Sequence, residues 1–206
     1  MRRALLLLPV LCLSACSNPE KAREKLGIKP TYDKTTGKLT ALTYDSNHNG
    51  TVDTWTDMNG ARPIQTRIDR NEDGRLDRWE YYDDQGKLTK VGFSRKDDGK
   101  PDAWAFAGVD GHVERIEISS TGDGKKIDRW EHYDGGGLIA AEEDGNADGV
   151  IDKWETYRAG ALKSAAFDEN GDGKADRRLT YDGGALVAIE TEPDAAGRFS
   201  KRVDVK

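Results

Sequence analysis

Residues 69–88 read DRNEDGRLDRWEYYDDQGKL and combine two kinds of sequence in one stretch. The first half places Asp or Asn at alternate positions before Gly74, an arrangement typical of a polar loop with a sharp turn. The second half has Trp79, a tyrosine pair and a Gly-x-Leu ending, which is typical of strands joined by a tight hairpin turn. A polar loop therefore leads directly into a β-hairpin.

The same unit recurs along the chain. The five tryptophans share one phase of the repeat, follow one another at intervals of 24 to 26 residues, and each come two residues after an Asp; they are Trp55, Trp79, Trp104, Trp130 and Trp154. Arg178 continues the series after 24 more residues. A fixed period of this length indicates a repeat architecture in which each unit contacts its neighbours.

Each repeat also predicts two short strands. Apolar residues before the next loop recur at every second position, as Val91 and Phe93 do, and this is the period of a strand. Glycine in the Gly-x-Leu turn supplies the positive φ that a hairpin connection needs. We therefore predict an all-β fold, a repetitive antiparallel β-hairpin meander in an open twisted or coiled sheet, with about six units of about 24 residues in residues 31–206.

Four of the connecting loops carry a complete ladder of oxygen ligands. Counting the first Asp as position 1, Asp or Asn occupies positions 1, 3, 5 and 9, and glycine occupies position 6. Calcium takes six to eight oxygens, and side chains at these positions of a tightly turned loop converge on one point. Two loops also have Glu at position 12, where a bidentate ligand belongs. The predicted calcium ligands are Asp45, Asn47, Asn49, Asp53, Asp69, Asn71, Asp73, Asp77, Glu80, Asp144, Asn146, Asp148, Asp152, Glu155, Asp168, Asn170, Asp172 and Asp176.

The other interpretation of these loops is that Asp, Asn and Gly simply form solvated turns, as they commonly do. Two further loops, residues 94–102 and 119–128, depart from the ladder. Ser94 and Lys96 stand where ligands belong in the first, and the second has lost its first carboxylate and gained an inserted lysine. We expect neither to bind calcium well. Hydrogen bonds, or the Lys96 ammonium acting as a built-in cation, are expected to hold these central repeats.

The Asp/Asn ladder resembles the EF-hand loop, but its flanks do not. Only about 12 residues separate successive loops, and these contain turn residues and β-formers in place of helices. The ladder is more similar to the loops of thrombospondin type 3 repeats and of integrin-type propeller blades, which use it outside helical hairpins. This resemblance implies calcium-binding loops without the EF-hand helices.

The hairpin half of the unit resembles two families. Residues 82–88, YDDQGKL, are similar to the YD repeat of Rhs-type proteins. The Trp, the tyrosine pair and the glycine turn are similar to choline-binding and glucan-binding cell-wall repeats, which implies an aromatic face for choline or sugar. The tryptophan column therefore has two interpretations. It is either a ligand face that stacks on sugar rings or the packing spine of a chain with few other apolar residues.

Residues 1–15 are predicted to be a signal peptide. Two arginines precede an apolar run that is shorter than the roughly 20 residues needed to span a bilayer. Residues 13–16, LSAC, resemble the bacterial lipobox, which implies that Cys16 is lipidated and anchors the protein in the cell envelope. Ser17 follows this cysteine, and the resemblance therefore implies the outer membrane, on its periplasmic or surface face, if the organism has one. Residues 16–30 are predicted to be the lipidated N-terminus and a tether.

Composition limits both the core and the partners. Leu, Ile, Val and Phe make up about 16% of the residues after Ala15, so a metal, a repeat architecture or both must hold the chain together. The formal net charge of −6 disfavours binding to nucleic acid.

No catalytic constellation is present in the sequence. His48, His112 and His132 fall at unrelated positions of the repeat, and no nucleophile and base pattern or Gly-rich phosphate loop occurs. We therefore predict a calcium-stabilised cell-envelope lipoprotein that is not an enzyme and acts as a structural or adhesive scaffold or binding surface. Its membrane contact is the N-terminal lipid, and a protein or glycan partner is unidentified. The alternative is a carbohydrate or cell-wall binding module that uses the Trp and Tyr face.

Overall fold

The computed structural model describes residues 27–205, so the predicted signal peptide, Cys16 and most of the predicted tether lie outside the described residues. The described residues form 15 strands and contain no helix, and hence none that is long and apolar enough to cross a membrane. The strands are β1 (Ile28–Tyr32), β2 (Leu39–Tyr44), β3 (Thr54–Asn59), β4 (Arg62–Ile68), β5 (Arg78–Tyr82), β6 (Leu88–Phe93), β7 (Ala103–Ala107), β8 (Val113–Ile118), β9 (Arg129–Asp134), β10 (Gly137–Glu143), β11 (Lys153–Arg158), β12 (Ala161–Phe167), β13 (Arg177–Asp182), β14 (Ala185–Pro193) and β15 (Phe199–Asp204).

All 15 strands belong to one open antiparallel sheet, and their order in the sheet is their order in the chain. This confirms the predicted β-hairpin meander. The six repeat units supply β3 to β14, while β1 and β2 precede the first polar loop and β15 follows the last unit. β1 begins at Ile28, so the first strand starts inside the segment that the sequence assigns to the tether. Extensive contacts between strands occur only between neighbours in the chain, and the described residues therefore form a single layer.

Because successive strands run in opposite directions, the two kinds of connection separate to opposite edges of the sheet. The Gly-x-Leu turns lie along one edge, which we call the turn edge. The six polar loops lie along the other, the loop edge. We number these loops 1 to 6: residues 45–53, 69–77, 94–102, 119–128, 144–152 and 168–176.

The tryptophans form one row across the strands. The pairing register places a single residue of the intervening strand opposite two successive tryptophans, as Arg67 lies opposite both Trp55 and Trp79. Residues directly opposite each other share a face, so all five rings project from the same side, which we call the tryptophan face. Trp79 is 7% exposed and the other four are half-buried. The residues between them in the row are Arg67, Gly92, Glu117 and Glu142.

The opposite face combines buried apolar residues, among them Val91 and Ala105, with a polar network. In three repeats a tyrosine hydroxyl donates to the Glu two residues earlier, at 2.6 to 3.0 Å: Tyr82 to Glu80, Tyr133 to Glu131 and Tyr157 to Glu155. Arg129 lies 3.0 to 3.1 Å from three carboxylates, those of Glu131, Glu143 and Glu155. Burial and the Glu131 carboxylate raise the pKa of Tyr133 to about 12. Small residues fill the strands between these groups, and Ala141 and Ala165 are 2% and 3% exposed.

The two outer strands carry residues that oppose pairing with further strands. Pro30 in β1 lacks a backbone N–H, and β15 presents Lys201 and Arg202 on an exposed strand. Proline and positive charge are common means of blunting a sheet edge.

Candidate metal-binding loops

The six loops share one backbone path. The glycine at position 6 has a φ between 66° and 97° in every loop, as the sequence indicates. Position 4 is also left-handed throughout, with φ between 55° and 79°, although only two loops have glycine there. The four residues other than glycine at this position are His48, Glu72, Asp97 and Ala147. In the sequence, the glycines at 122 and 171 are the only signal of this left-handed position.

An aspartate at position 9 closes every loop. In loop 4 this aspartate stands at position 10, because the loop contains one inserted residue. Its carboxylate accepts a hydrogen bond from the backbone N–H of position 2 at 2.6 to 3.0 Å. The same residue's N–H donates to a carbonyl at the end of the preceding strand, as Asp102 does to Phe93 at 2.9 Å. We call these residues the loop-closing aspartates: Asp53, Asp77, Asp102, Asp128, Asp152 and Asp176.

In loops 1 to 5 the loop-closing aspartate also joins its loop to the next loop. The carbonyl of Asp53 accepts from the N–H of Asp69, which begins loop 2, at 2.8 Å. Asp53 is 2% exposed, and burial alone would raise the pKa of its carboxyl. Hydrogen bonds from Ser46 and Thr54 outweigh that effect and lower its pKa, so the ionised form is the one that the fold stabilises.

The ladder residues at positions 1, 3 and 5 bind the backbone of their own loop. In loop 2, Asp69 accepts from the N–H of Gly74 at 2.9 Å, Asn71 from that of Asp73 at 3.1 Å, and Asp73 from that of Arg75 at 2.9 Å. Loops 1, 5 and 6 repeat these three bonds. The ladder therefore fixes the side-chain oxygens of the loop by turns of the kind that Asp and Asn favour.

The position 1 carboxylates differ in how fully they are paired. Both carboxylate oxygens accept backbone N–H groups in Asp45, Asp144 and Asp168. In Asp69, which is 6% exposed, Oδ2 is paired but the buried Oδ1 has no hydrogen-bond donor. A buried carboxylate oxygen without a partner is costly, and a cation bound beside it would remove that cost. The residues of loop 2 therefore fit a bound calcium better than those of the other loops.

Loop 5 already contains a positive charge. Nζ of Lys126, which lies in loop 4, is 3.3 Å from Oδ2 of Asp144 and donates to the carbonyl of Ala147. Burial raises the pKa of Asp144, but the N–H of Gly149 and the Lys126 ammonium more than offset this, and the pKa is lowered. Loop 5 therefore has the full ladder together with a tethered cation.

The two loops without the ladder are held by hydrogen bonds. In loop 3, the N–H of Asp98 donates to the Ser94 hydroxyl at 3.1 Å, in the place of a position 1 carboxylate. The Lys96 ammonium of loop 3 donates to the carbonyl of Thr121 in loop 4. Of the two alternatives expected from the sequence, the hydrogen bonds are present in loop 3, and the Lys96 ammonium contacts the next loop instead of its own.

Position 4 side chains connect neighbouring loops elsewhere along the loop edge. The Glu72 carboxylate of loop 2 accepts from the side-chain amides of Asn47 and Asn49 in loop 1, both at 2.6 Å. Asp97 of loop 3 accepts from the Asn71 amide of loop 2 at 3.2 Å. The amide nitrogens of these Asn side chains therefore donate to the next loop, and their amide oxygens accept from the backbone of their own loop.

Glu80 and Glu155, the predicted position 12 ligands, lie in strands. Glu80 in β5 accepts from Arg78 and Tyr82, and Glu155 in β11 pairs with Arg129 and Lys153. Calcium binding by either carboxylate would require these bonds to break. Within residues 27–205, no three His, Cys, Asp or Glu side chains form a group that could hold a metal ion. A loop of this kind also draws on Asn amide and backbone carbonyl oxygens.

An aromatic and cationic patch surrounds Trp104 on the predicted ligand face. The Trp104 ring lies over Gly92, where an added Cβ would be 3.6 Å from two of its ring atoms. Beside it, Nζ of Lys90 lies 4.7 Å from the centroid of Tyr81, and the Arg115 guanidinium lies 4.3 Å from that of Phe106. The other four tryptophans occupy the same row. One strand without a tryptophan separates each tryptophan-bearing strand from the next, as β4 separates Trp55 from Trp79.

We expect Asp102→Ala to lower the free energy of unfolding by about 1 to 3 kcal/mol, because the Arg95 N–H would lose its acceptor at a buried site. The loss should be equal in calcium and in chelator, since loop 3 lacks the ladder. Denaturant unfolding measures it. Asp110→Ala is the control, because Asp110 also accepts a backbone N–H, from His112 at 3.0 Å, but is exposed on the turn edge. Equal effects of the two substitutions would contradict the closing role.

Neither a protein-family model nor a curated protein sequence matches this chain. Solved structures similar to parts of it include accessory secretory protein 1,2 and 3 in Streptococcus pneumoniae, with a TM-score of 0.39 and 12% identity over 52% of this chain and 19% of that one. A mutant of S. aureus TarM, in complex with fondaparinux, alpha-GlcNAc-glycerol and UDP, has a TM-score of 0.37 and 17% identity over 53% and 22%. TcdB2-TccC3-TEV has a TM-score of 0.21 and 12% identity over 86% and 14%. The chain thus spans about a fifth or less of these proteins, and such low TM-scores assign it neither a fold family nor an activity.

Proposed function

We propose that the protein is a calcium-stabilised lipoprotein of the cell envelope whose single-layer sheet acts as a structural or adhesive scaffold. The observation that carries the calcium part is the buried Oδ1 of Asp69, which has no hydrogen-bond donor within a loop of oxygen ligands. Asp69, Asn71, Asp73 and Asp77 would hold the ion. The envelope location and the lipid anchor rest on the predicted signal peptide and on Cys16 in the lipobox-like stretch.

A structural role for the ion follows from where the loops lie. Loop 2 connects β4 to β5, and an ion bound there would fix the connection between two repeats. A ligand at about 100 times its dissociation constant adds roughly 2.7 kcal/mol, which is a large part of a typical stability of about 5 to 15 kcal/mol. The bound ion would therefore act on the stability of the sheet, and the proposal includes no enzymatic activity.

The scaffold role is supported by the shape of the sheet. With strands about 4.8 Å apart, 15 strands extend roughly 70 Å along the hydrogen-bonding direction. Both faces and the loop edge are accessible along this length, and the loop edge is rich in carboxylates. Such a surface suits a spacer or a binding platform for a protein or glycan on the membrane, on the periplasmic or outer face of an outer membrane if the organism has one.

We expect calcium to raise the melting temperature of the full chain relative to the same chain in chelator. Asp69→Asn should abolish most of this difference, because it removes the negative charge of the carboxylate that contains the unpartnered oxygen and keeps the shape of the side chain. Ser94→Ala is the matched control at position 1 of loop 3 and should leave the calcium-dependent shift unchanged. Thermal unfolding monitored by circular dichroism measures the shift. Identical melting curves with and without calcium would overturn the proposal.

The second candidate function is a carbohydrate or cell-wall binding module. The observation that favours it is the shallow cavity of about 220 Å³ on the tryptophan face, lined by Trp104, Phe106, Lys90 and Glu117 among others. Half-buried rings beside charged groups can stack on a sugar and bind its polar substituents. In this role the calcium loops would serve only to hold the aromatic face.

If the chain binds glycans, soluble cell-wall fragments should quench tryptophan fluorescence in a saturable way, and Trp104→Phe should weaken the quenching several-fold. Trp154→Phe is the control, because Trp154 lies in the same row but outside this cavity. Fluorescence titration provides the measurement. The absence of saturable quenching, or an equal effect of the two substitutions, would contradict the second function.

A further inference from the structure

Lys126 distinguishes loop 5 from the other loops that carry the full ladder. It belongs to loop 4, the loop with an inserted residue, yet its ammonium reaches across to the position 1 carboxylate of loop 5. Nζ lies 3.3 Å from Oδ2 of Asp144 and donates a hydrogen bond to the carbonyl of Ala147. A carboxylate and a backbone carbonyl are both groups that a calcium ion would bind in such a loop.

The burial of the pair shows which partner is fixed. The Asp144 side chain is 2% exposed, whereas that of Lys126 is 44% exposed, so the ammonium approaches a buried carboxylate from the solvent side. In the part of the chain that the structure describes, no Lys or Arg nitrogen is paired in this way with Asp45, Asp69 or Asp168. An ion entering loop 5 would have to displace the ammonium, because two cations at one carboxylate repel each other.

We infer that the Lys126 ammonium takes the place of the metal ion in loop 5 and confines calcium to loops whose position 1 carboxylate meets no lysine. Loop 2 is the clearest of these, since Oδ1 of Asp69 has no partner. The inference deepens the proposed function and rests on it only for the statement that the lysine-free loops bind calcium. The residue that excludes calcium from loop 5 thus lies outside that loop.

Loop 4 is occupied in a parallel way. Its position 1 is Ser119, so it offers no carboxylate there, and the Lys96 ammonium of loop 3 donates to its Thr121 carbonyl. Loops 4 and 5 therefore each receive an ammonium from the loop before. Lysine ammonium groups therefore hold loops 4 and 5, in the middle of the loop edge, and these two loops need no calcium.

The inference predicts that Lys126→Met, which keeps the length of the side chain but removes its charge, binds one more calcium ion per chain than the wild type. Equilibrium dialysis of the full chain against radioactive calcium measures the stoichiometry. Lys125→Met is the matched control, because the Lys125 contact to Asp123 is made by its backbone N–H. Lys125→Met should bind as many ions as the wild type. A folded Lys126→Met protein with no additional ion would overturn the inference.

A second pair of variants does not depend on the folding of Lys126→Met. Asp144→Asn should leave the number of bound ions unchanged, whereas Asp69→Asn should reduce it by one. A loss of one ion in Asp144→Asn would overturn the inference, because loop 5 would then bind calcium in the wild type. Failure of the proposed function gives a different result, in which the wild type binds no calcium while Lys126→Met still gains one ion.

Discussion

The hydrogen bond from the position 2 N–H to the carboxylate of the loop-closing aspartate holds each polar loop in place between its two strands. This bond is present in all six loops, including loops 3 and 4, which lack the ligand ladder. The loop-closing residue also donates its N–H to the preceding strand and, in loops 1 to 5, accepts from the first residue of the next loop, so that one residue fixes the loop and both of its neighbours. A position with three backbone contacts sets the register of the strands that follow.

This constraint matters because the sheet has no second layer. Extensive strand contacts are confined to neighbours in the chain, and the most buried residues of the described chain include aspartates as well as small apolar side chains. Stability in such an array is a sum of repeat and interface contributions. The interfaces are the tryptophan row on one face, the Glu, Tyr and Arg network on the other, and the chain of contacts between loops. Calcium, in the proposed function, strengthens a loop edge that hydrogen bonds already organise.

The repeat in the sequence predicts the fold well. The tryptophan interval and the Gly-x-Leu turns give the meander of β3 to β14, since both are local patterns with a strand period. The sequence does not distinguish the four ladder loops, because the groups that make them different come from other repeats. Lys126 acts on Asp144 and Glu72 acts on Asn47, and each pair is joined only by the register of intervening strands. Glu80 fits a ligand position by number, but β5 begins at Arg78 and holds it in the sheet beside Tyr82.

Amide hydrogen exchange at position 2 of the loops measures whether the loop-closing aspartates hold the array. The N–H groups concerned are those of Ser46, Arg70, Arg95, Ser120, Gly145 and Glu169. If the loop-closing aspartates hold the array, these six amides exchange as slowly as the amides of the central strands, both in calcium and in chelator. If these amides exchange fast in chelator while the strand amides stay protected, the sheet keeps its register without the hydrogen bonds to the aspartates. That result would contradict the role assigned to the loop-closing aspartates.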